Sequence, residues 1–142
     1  MSTEANKATA RRFLDDILNH NDLAAIPEVI APNWVNNDES LPPLRGHDGA
    51  RQLVMIFRGG LPDFHLTTED LLAEDDKVAF HCVATGTHTG ELMGVPATGK
   101  AVRVTVTGVL HLAGGKLVEN RVNFDALGLM QQIGVVPMPQ RG

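Results

Sequence analysis

Gly86-Thr87-His88-Thr89-Gly90 runs through Glu91 and Leu92 into Met93-Gly94-Val95-Pro96-Ala97-Thr98-Gly99-Lys100. Glycines and a proline here punctuate two long apolar runs, so the chain must turn, approach another backbone closely and return as a strand. Outward from this segment, everything from Phe64 reads as strands, at about 64–72, 77–88, 101–112 and 116–125. Tight connections fall at Glu74-Asp75-Asp76 and Ala113-Gly114-Gly115. The last pair assigns the faces of the sheet. Val104, Val106, Leu110, Leu112, Val118, Val122 and Phe124 are even-numbered and apolar, whereas Arg103, Thr105, Thr107, His111, Glu119, Arg121, Asn123 and Asp125 are odd-numbered and mostly polar. A three-residue loop at 113–115 keeps even opposite even, and that register is expected, with the even face covered.

The cover comes from the N-terminal part of the chain. Ala10, Phe13, Leu14, Ile17 and Leu18 recur at helical spacing. Asn21 or Asp22 is expected to cap a short second helix carrying Leu23, Ile26, Val29 and Ile30, which Pro32 ends. Trp34 to Asp38 reads as a short strand. After Pro42-Pro43, Asp48 is the expected cap of a third helix with Leu53, Val54, Ile56 and Phe57 inward, stopped by Gly59-Gly60. A one-turn helix from Ala126 and a Pro-rich tail follow the sheet. These elements predict an α+β fold in which three N-terminal helices pack on a strongly bent, mostly antiparallel sheet, making a cone with an apolar pocket.

The 142 residues suit a single domain spanning 1–142, with 43% hydrophobic and 20% charged residues excluding a disordered tail. A net charge of −5, with Arg11-Arg12 the one adjacent basic pair, gives no footprint for nucleic acid. No apolar run suits secretion or a bilayer, so a cytoplasmic protein without a membrane partner is expected. Cys82 sits within an apolar strand and reads as a small buried hydrophobe. His65, His81, His88 and His111 contain no close-spaced pair that would anchor a metal site, and none is expected. Phosphate loops, serine elbows and cysteine pairs are likewise missing from the sequence.

The segment 86–100 resembles the SnoaL-like polyketide cyclase family, together with Leu61-Pro62-Asp63-Phe64, Gly115-Lys116-Leu117-Val118-Glu119 and the stretch from Leu129 to Pro137. That resemblance covers nearly the whole chain and implies an NTF2-like (cystatin-like) cone. It also implies a cofactor-independent intramolecular aldol cyclisation of an aromatic, polyketide-like ligand. Such chemistry needs a group that manages a proton and an apolar box that holds the reactive conformer. In the family the acid/base aspartate immediately follows a Glu-x-Trp segment on the last strand. Here the segment reads Glu119-Asn120-Arg121-Val122, with Arg121 in place of the tryptophan and Val122 in place of the aspartate. Three readings follow: a cyclase with a relocated carboxylate, a relative that hydroxylates or isomerises its ligand, or a binding module without catalysis.

The candidate residues come with plainer alternatives. Asp125 stands at the end of the last strand, as acid/base or as cap of the following helix. Asp38 is the other carboxylate that can reach the pocket from a strand, beside Asn36 and Trp34, whose indole offers an aromatic ligand a flat surface at the entrance. His88 shares the inward parity of Phe80 and Cys82, as a proton shuttle or as a satisfier of the glycine turns around it. Asn120 lies inward among apolar neighbours, to orient a ligand carbonyl or to tie down backbone. Val106, Val122 and Phe124 are expected on the pocket wall, and Met55, Met93 and Met130 as adaptable contacts or plain core. His81 and His111 face outward, where Thr105, Thr107, Val109 and Val83 leave the sheet half polar and a homodimer is expected.

Overall fold

A computed structural model describes residues 2–137. The chain opens with α1 (Thr3–Arg11), capped where the Ser2 hydroxyl accepts from the Ala5 amide at 3.0 Å, and continues as a π-helical segment over Arg12–Asn19. Ala10, Phe13, Leu14 and Ile17 are buried, so the apolar stripe read from the sequence faces the sheet, although the helix begins about two turns before that stripe. A single 3-10 turn at Leu23–Ala25 leads into the short α2 (Ile26–Val29). Neither expected cap acts there. Asn21 takes φ 54°, and Asp22 makes no side-chain capping bond.

Ile30 starts β1 (Ile30–Asn37) rather than ending the helix, and Pro32 lies where the pairing of β1 with its neighbour shifts between Ile30 and Val35. A residue without an N–H fits such an irregular stretch, so Pro32 marks a break in the ladder and not a helix end. The two-residue β2 (Leu44–Arg45), which the sequence did not signal, pairs antiparallel with β1 and feeds α3 (Gly46–Gly60). The expected cap Asp48 sits inside the first turn of α3, where it binds Arg51 at 2.7 Å, because the helix starts three residues sooner, with Arg45 at the cap position. Gly60 ends α3, as the glycine pair indicates.

The remaining strands are β3 (His65–Glu74), β4 (Lys77–Thr87), β5 (Ala101–Ala113) and β6 (Lys116–Phe124), followed by α4 (Ala126–Gln132). The Pro-rich tail lies outside the described residues from position 138 onward. One mixed sheet has the order β2-β1-β6-β5-β4-β3, antiparallel throughout except for β1 alongside β6. Even does oppose even between β5 and β6 over Val106–Phe124 and Leu110–Asn120, but not by way of a three-residue loop. Ala113 pairs with Lys116 across the two positive-φ glycines Gly114 and Gly115, and a bulge then leaves Val118 unpaired, restoring the parity. Leu117, fully buried, therefore takes the inward place expected of Val118. On the outer face Val83 is also buried, flanked by Thr67 and Thr105 on the neighbouring strands.

The segment 86–100 works as a pin between the two halves of the fold. The amides of Thr89 and Gly90 donate to the Gly60 carbonyl at 3.2 and 3.1 Å, drawing the segment against the end of α3. A Cβ on Gly90 would lie 2.0 Å from the Gly59 oxygen, so the close backbone approach admits only glycine. Asp63 holds the other side, its carboxylate accepting from the Thr87 amide at 2.7 Å and the Thr87 hydroxyl at 2.8 Å. These two bonds hold the Asp63 carboxyl below the usual carboxylate range.

Candidate functional site

Between the even face of the sheet and the helices lies an apolar cavity of about 70 Å³. Phe13, Phe57, Phe64, Phe80 and Phe124 contribute to its wall, with Leu14, Leu18, Leu53 and Leu129 from the helices and Val104, Val106 and Val122 from the sheet. Phe57 stacks on Phe64 and meets Phe124 edge-on, both at 5.7 Å between centroids. Three polar residues interrupt the apolar lining, namely Asn36, Asp38 and Asn120. Asn36 and Asn120 are register partners on adjacent β1 and β6, so the two amides share one patch of wall, and Asp38 follows two residues beyond Asn36. An outer depression of about 400 Å³ shares Asn36, Asp38 and Val122 with the cavity and adds Asn37, Glu39, Arg121 and Asn123. Asp38 thus stands where the two spaces meet.

Asp38 is the sole ionisable side chain on the cavity wall among the described residues. It is 9% exposed, and its Oδ1 accepts from the Ser40 amide at 2.9 Å. Burial pushes its carboxyl above the usual range, and the Ser40 bonds offset this only in part. A carboxylate with raised pKa is a stronger base, which suits proton abstraction near neutral pH.

Several sequence candidates lie outside the cavity. Asp125 is exposed and caps α4, accepting from the Gly128 amide at 2.9 Å, because the strand ends at Phe124 without a bulge that would turn it inward. His88 is fully buried yet absent from the cavity wall, since it follows the last residue of β4 and turns to Thr98, whose hydroxyl lies 2.9 Å from Nδ1. Its backbone receives the amide of Gly99 at 2.7 Å and donates to Lys100 at 2.9 Å, closing the loop. Met55 is 67% exposed on the outer side of α3 and shares a shallow surface depression with Met93, away from the cavity.

Trp34 is buried completely and lies behind the cavity wall instead of at the entrance, with its indole Nε1 donating to Asn120 Oδ1 at 3.1 Å. Met130 packs against the core. His81 and His111 face outward beside Glu69 at 3.2 Å and Asp76 at 2.8 Å. Among the described residues no group of three or more His, Cys, Asp or Glu is placed to hold a metal ion, and no helix is long and apolar enough to cross a membrane. Burial pushes the Cys82 thiol up.

The helical half of the wall, above all Phe13, Leu14, Leu18 and Leu53, escaped the sequence reading as site residues. Its signal was an ordinary amphipathic stripe, and nothing in such a stripe separates a core from a cavity.

Among curated proteins none matches the chain in sequence. Solved structures do. A protein of Jannaschia sp. CCS1 assigned as a SnoaL-like polyketide cyclase superposes with TM-score 0.87 at 25% identity, over 95% of both chains. AclR of Streptomyces galilaeus, assigned as a hydroxylase, gives 0.84 at 28% identity, covering 99% of this chain and 87% of its own. IdmH of Streptomyces antibioticus, assigned as a polyketide cyclase, gives 0.78 at 29%, covering 92% and 99%. The cone is thus NTF2-like, as the family resemblance implies. The sequence model of SnoaL-like polyketide cyclases matches residues 8–133, spanning α1 through α4 and every strand of the cone. With that span and this sheet, the chain belongs to the SnoaL-like polyketide cyclase family.

Proposed function

We propose that this protein is a small-molecule enzyme working by acid/base chemistry without a cofactor, with Asp38 as its proton carrier and an apolar, polyketide-like carbonyl compound as substrate. One observation carries the reading: among the described residues the cavity wall holds a single carboxyl, raised in pKa by burial, on the stretch of lining that the cavity shares with the outer depression. About 70 Å³ holds roughly two water molecules or the carbonyl end of a ligand, about half of the ~150 Å³ that takes up a benzene ring. The reacting end of a larger ligand enters there while its bulk occupies the depression outside.

For an intramolecular aldol closure, the Asp38 carboxylate takes a proton from carbon flanked by carbonyls. The carbanion pair adds to a second carbonyl carbon of the same molecule, forming the C–C bond as the C=O π pair moves to oxygen. That oxygen then recovers the proton from Asp38, so the net change is an isomerisation with no leaving group. The apolar walls supply the near-attack conformer and exclude water.

A second reading, altered chemistry or ligand binding alone, draws on Val122 at the position that carries aspartate in cyclases and on the similarity to AclR. The test is turnover of anthraquinone-type polyketide esters, followed by absorbance and mass. Loss of product by about 10²–10⁴-fold in Asp38→Asn, with binding retained, supports the acid/base reading. Binding without turnover in the unaltered protein favours the second.

A further inference from the structure

We infer that Asn120 is a specificity-determining residue that recognises a carbonyl oxygen of the ligand, and that Trp34 positions its amide for the task. Asn120 is fully buried on the cavity wall. An indole N–H can only donate, so the group facing Trp34 Nε1 at 3.1 Å must be the amide oxygen, and this fixes which way the side chain is turned. The amide nitrogen, Nδ2, is then left with no hydrogen-bond partner.

A buried donor without an acceptor is costly, and native proteins rarely keep one without a use. The neighbouring residues on this wall do not supply the acceptor. Val122, two residues on along β6, is apolar, and among the described residues neither Asn36, the register partner on β1, nor either oxygen of Asp38 bonds to Nδ2. A ligand oxygen entering the cavity supplies it. An N–H donor near a carbonyl oxygen also stabilises the negative charge that builds there as the neighbouring carbon loses its proton. The placement of the ligand rests on the proposed function above, but the recognition itself is a binding property and stands or falls without turnover.

Acetophenone and α-methylstyrene provide the test, since they differ only in C=O against C=CH2, a group small enough for the cavity, and carry one ring for the depression outside it. Dissociation constants are measured for the unaltered protein, Asn120→Leu and Trp34→Phe, together with the infrared carbonyl stretch of bound acetophenone. Asn120→Leu is expected to weaken acetophenone relative to α-methylstyrene by about tenfold and to return the carbonyl stretch to its frequency in an apolar solvent. Trp34→Phe keeps Asn120 but frees its amide to turn, so a smaller loss of preference and a broadened carbonyl band are expected. An equal change for both ligands in Asn120→Leu, an unshifted stretch in the unaltered protein, or no acetophenone binding at millimolar concentration would overturn the inference. Failure of the acid/base reading shows separately, as turnover that survives in Asp38→Asn while acetophenone recognition is intact.

Discussion

Asp38 brings opposing demands to one side chain, because the burial that makes it a better base also makes its charge expensive. Below the ordinary aspartate value of about 3.9 the group is neutral in folded and unfolded chains alike, and it costs nothing. As pH rises through that value toward the higher folded pKa, the unfolded chain releases its proton first, and stability falls. Asp38→Asn keeps an acceptor for the Ser40 amide and removes the charge. Thermal denaturation should therefore find this variant more stable than the parent at pH 7, with the difference vanishing below about pH 4. The same substitution should cut turnover by about 10²–10⁴-fold, so stability and activity move in opposite directions. In the active protein, kcat/KM should rise with pH through a value above that of an ordinary aspartate.

Strand parity was enough to bring Asn36, Asp38, Asn120, Val122 and Phe124 to one wall. It was not enough for Trp34, which shares their parity yet sits one layer deeper, or for Met55, whose direction is set by the rotation of α3. Parity states which face a residue takes and not how deep it goes.

Between elements, the glycine-rich segment and the loop after α3 hold each other. Gly90→Ala should cost about 1–3 kcal/mol or more in urea denaturation, because the atom in the way is the Gly59 carbonyl oxygen and not the end of a flexible side chain. Asp63→Asn should act through pH. The folded pKa of Asp63 is depressed, so its stabilisation is present above the unfolded value of about 3.9 and is lost as pH falls through the folded one. The variant should be less stable than its parent at pH 7 and show a shallower loss in acid, as measured by denaturation midpoints.

The main strands and α3 were legible from alternation, turn residues and the Gly59-Gly60 stop. Less so were β2, too short for any period to register, and the π-helical stretch, whose wider turn keeps the same apolar residues inward. The bulge at Val118 hides in sequence because one extra residue and a shorter turn give the same parity as a longer turn without it.

The whole molecule is a cone whose interior is lined mostly by rings and branched chains, and a cavity of that kind should gain stability from any small aromatic guest it accepts. With acetophenone at a hundred times its dissociation constant, the gain should be about 2.7 kcal/mol, read as a rise in Tm that depends on ligand concentration. No rise at saturation would mean that the cavity is a packing defect and not a binding site. The cone itself was readable because its glycine pins and hairpin leave local marks. How much space stays open inside was not, because it depends on how five phenylalanines from five separate parts of the chain pack against one another.

The account turns on Asp38 being the carboxyl that burial holds ready to accept a proton. Carbon-13 NMR titration of the labelled aspartate carboxyls, with Asp38→Asn used to assign its resonance, measures this without a known substrate. The expected midpoint for Asp38 lies above about 3.9 and above those of Asp63 and Asp76, which hydrogen bonds depress. A midpoint at or below the ordinary value would contradict the account, leaving the cavity without a group suited to the proposed proton transfer.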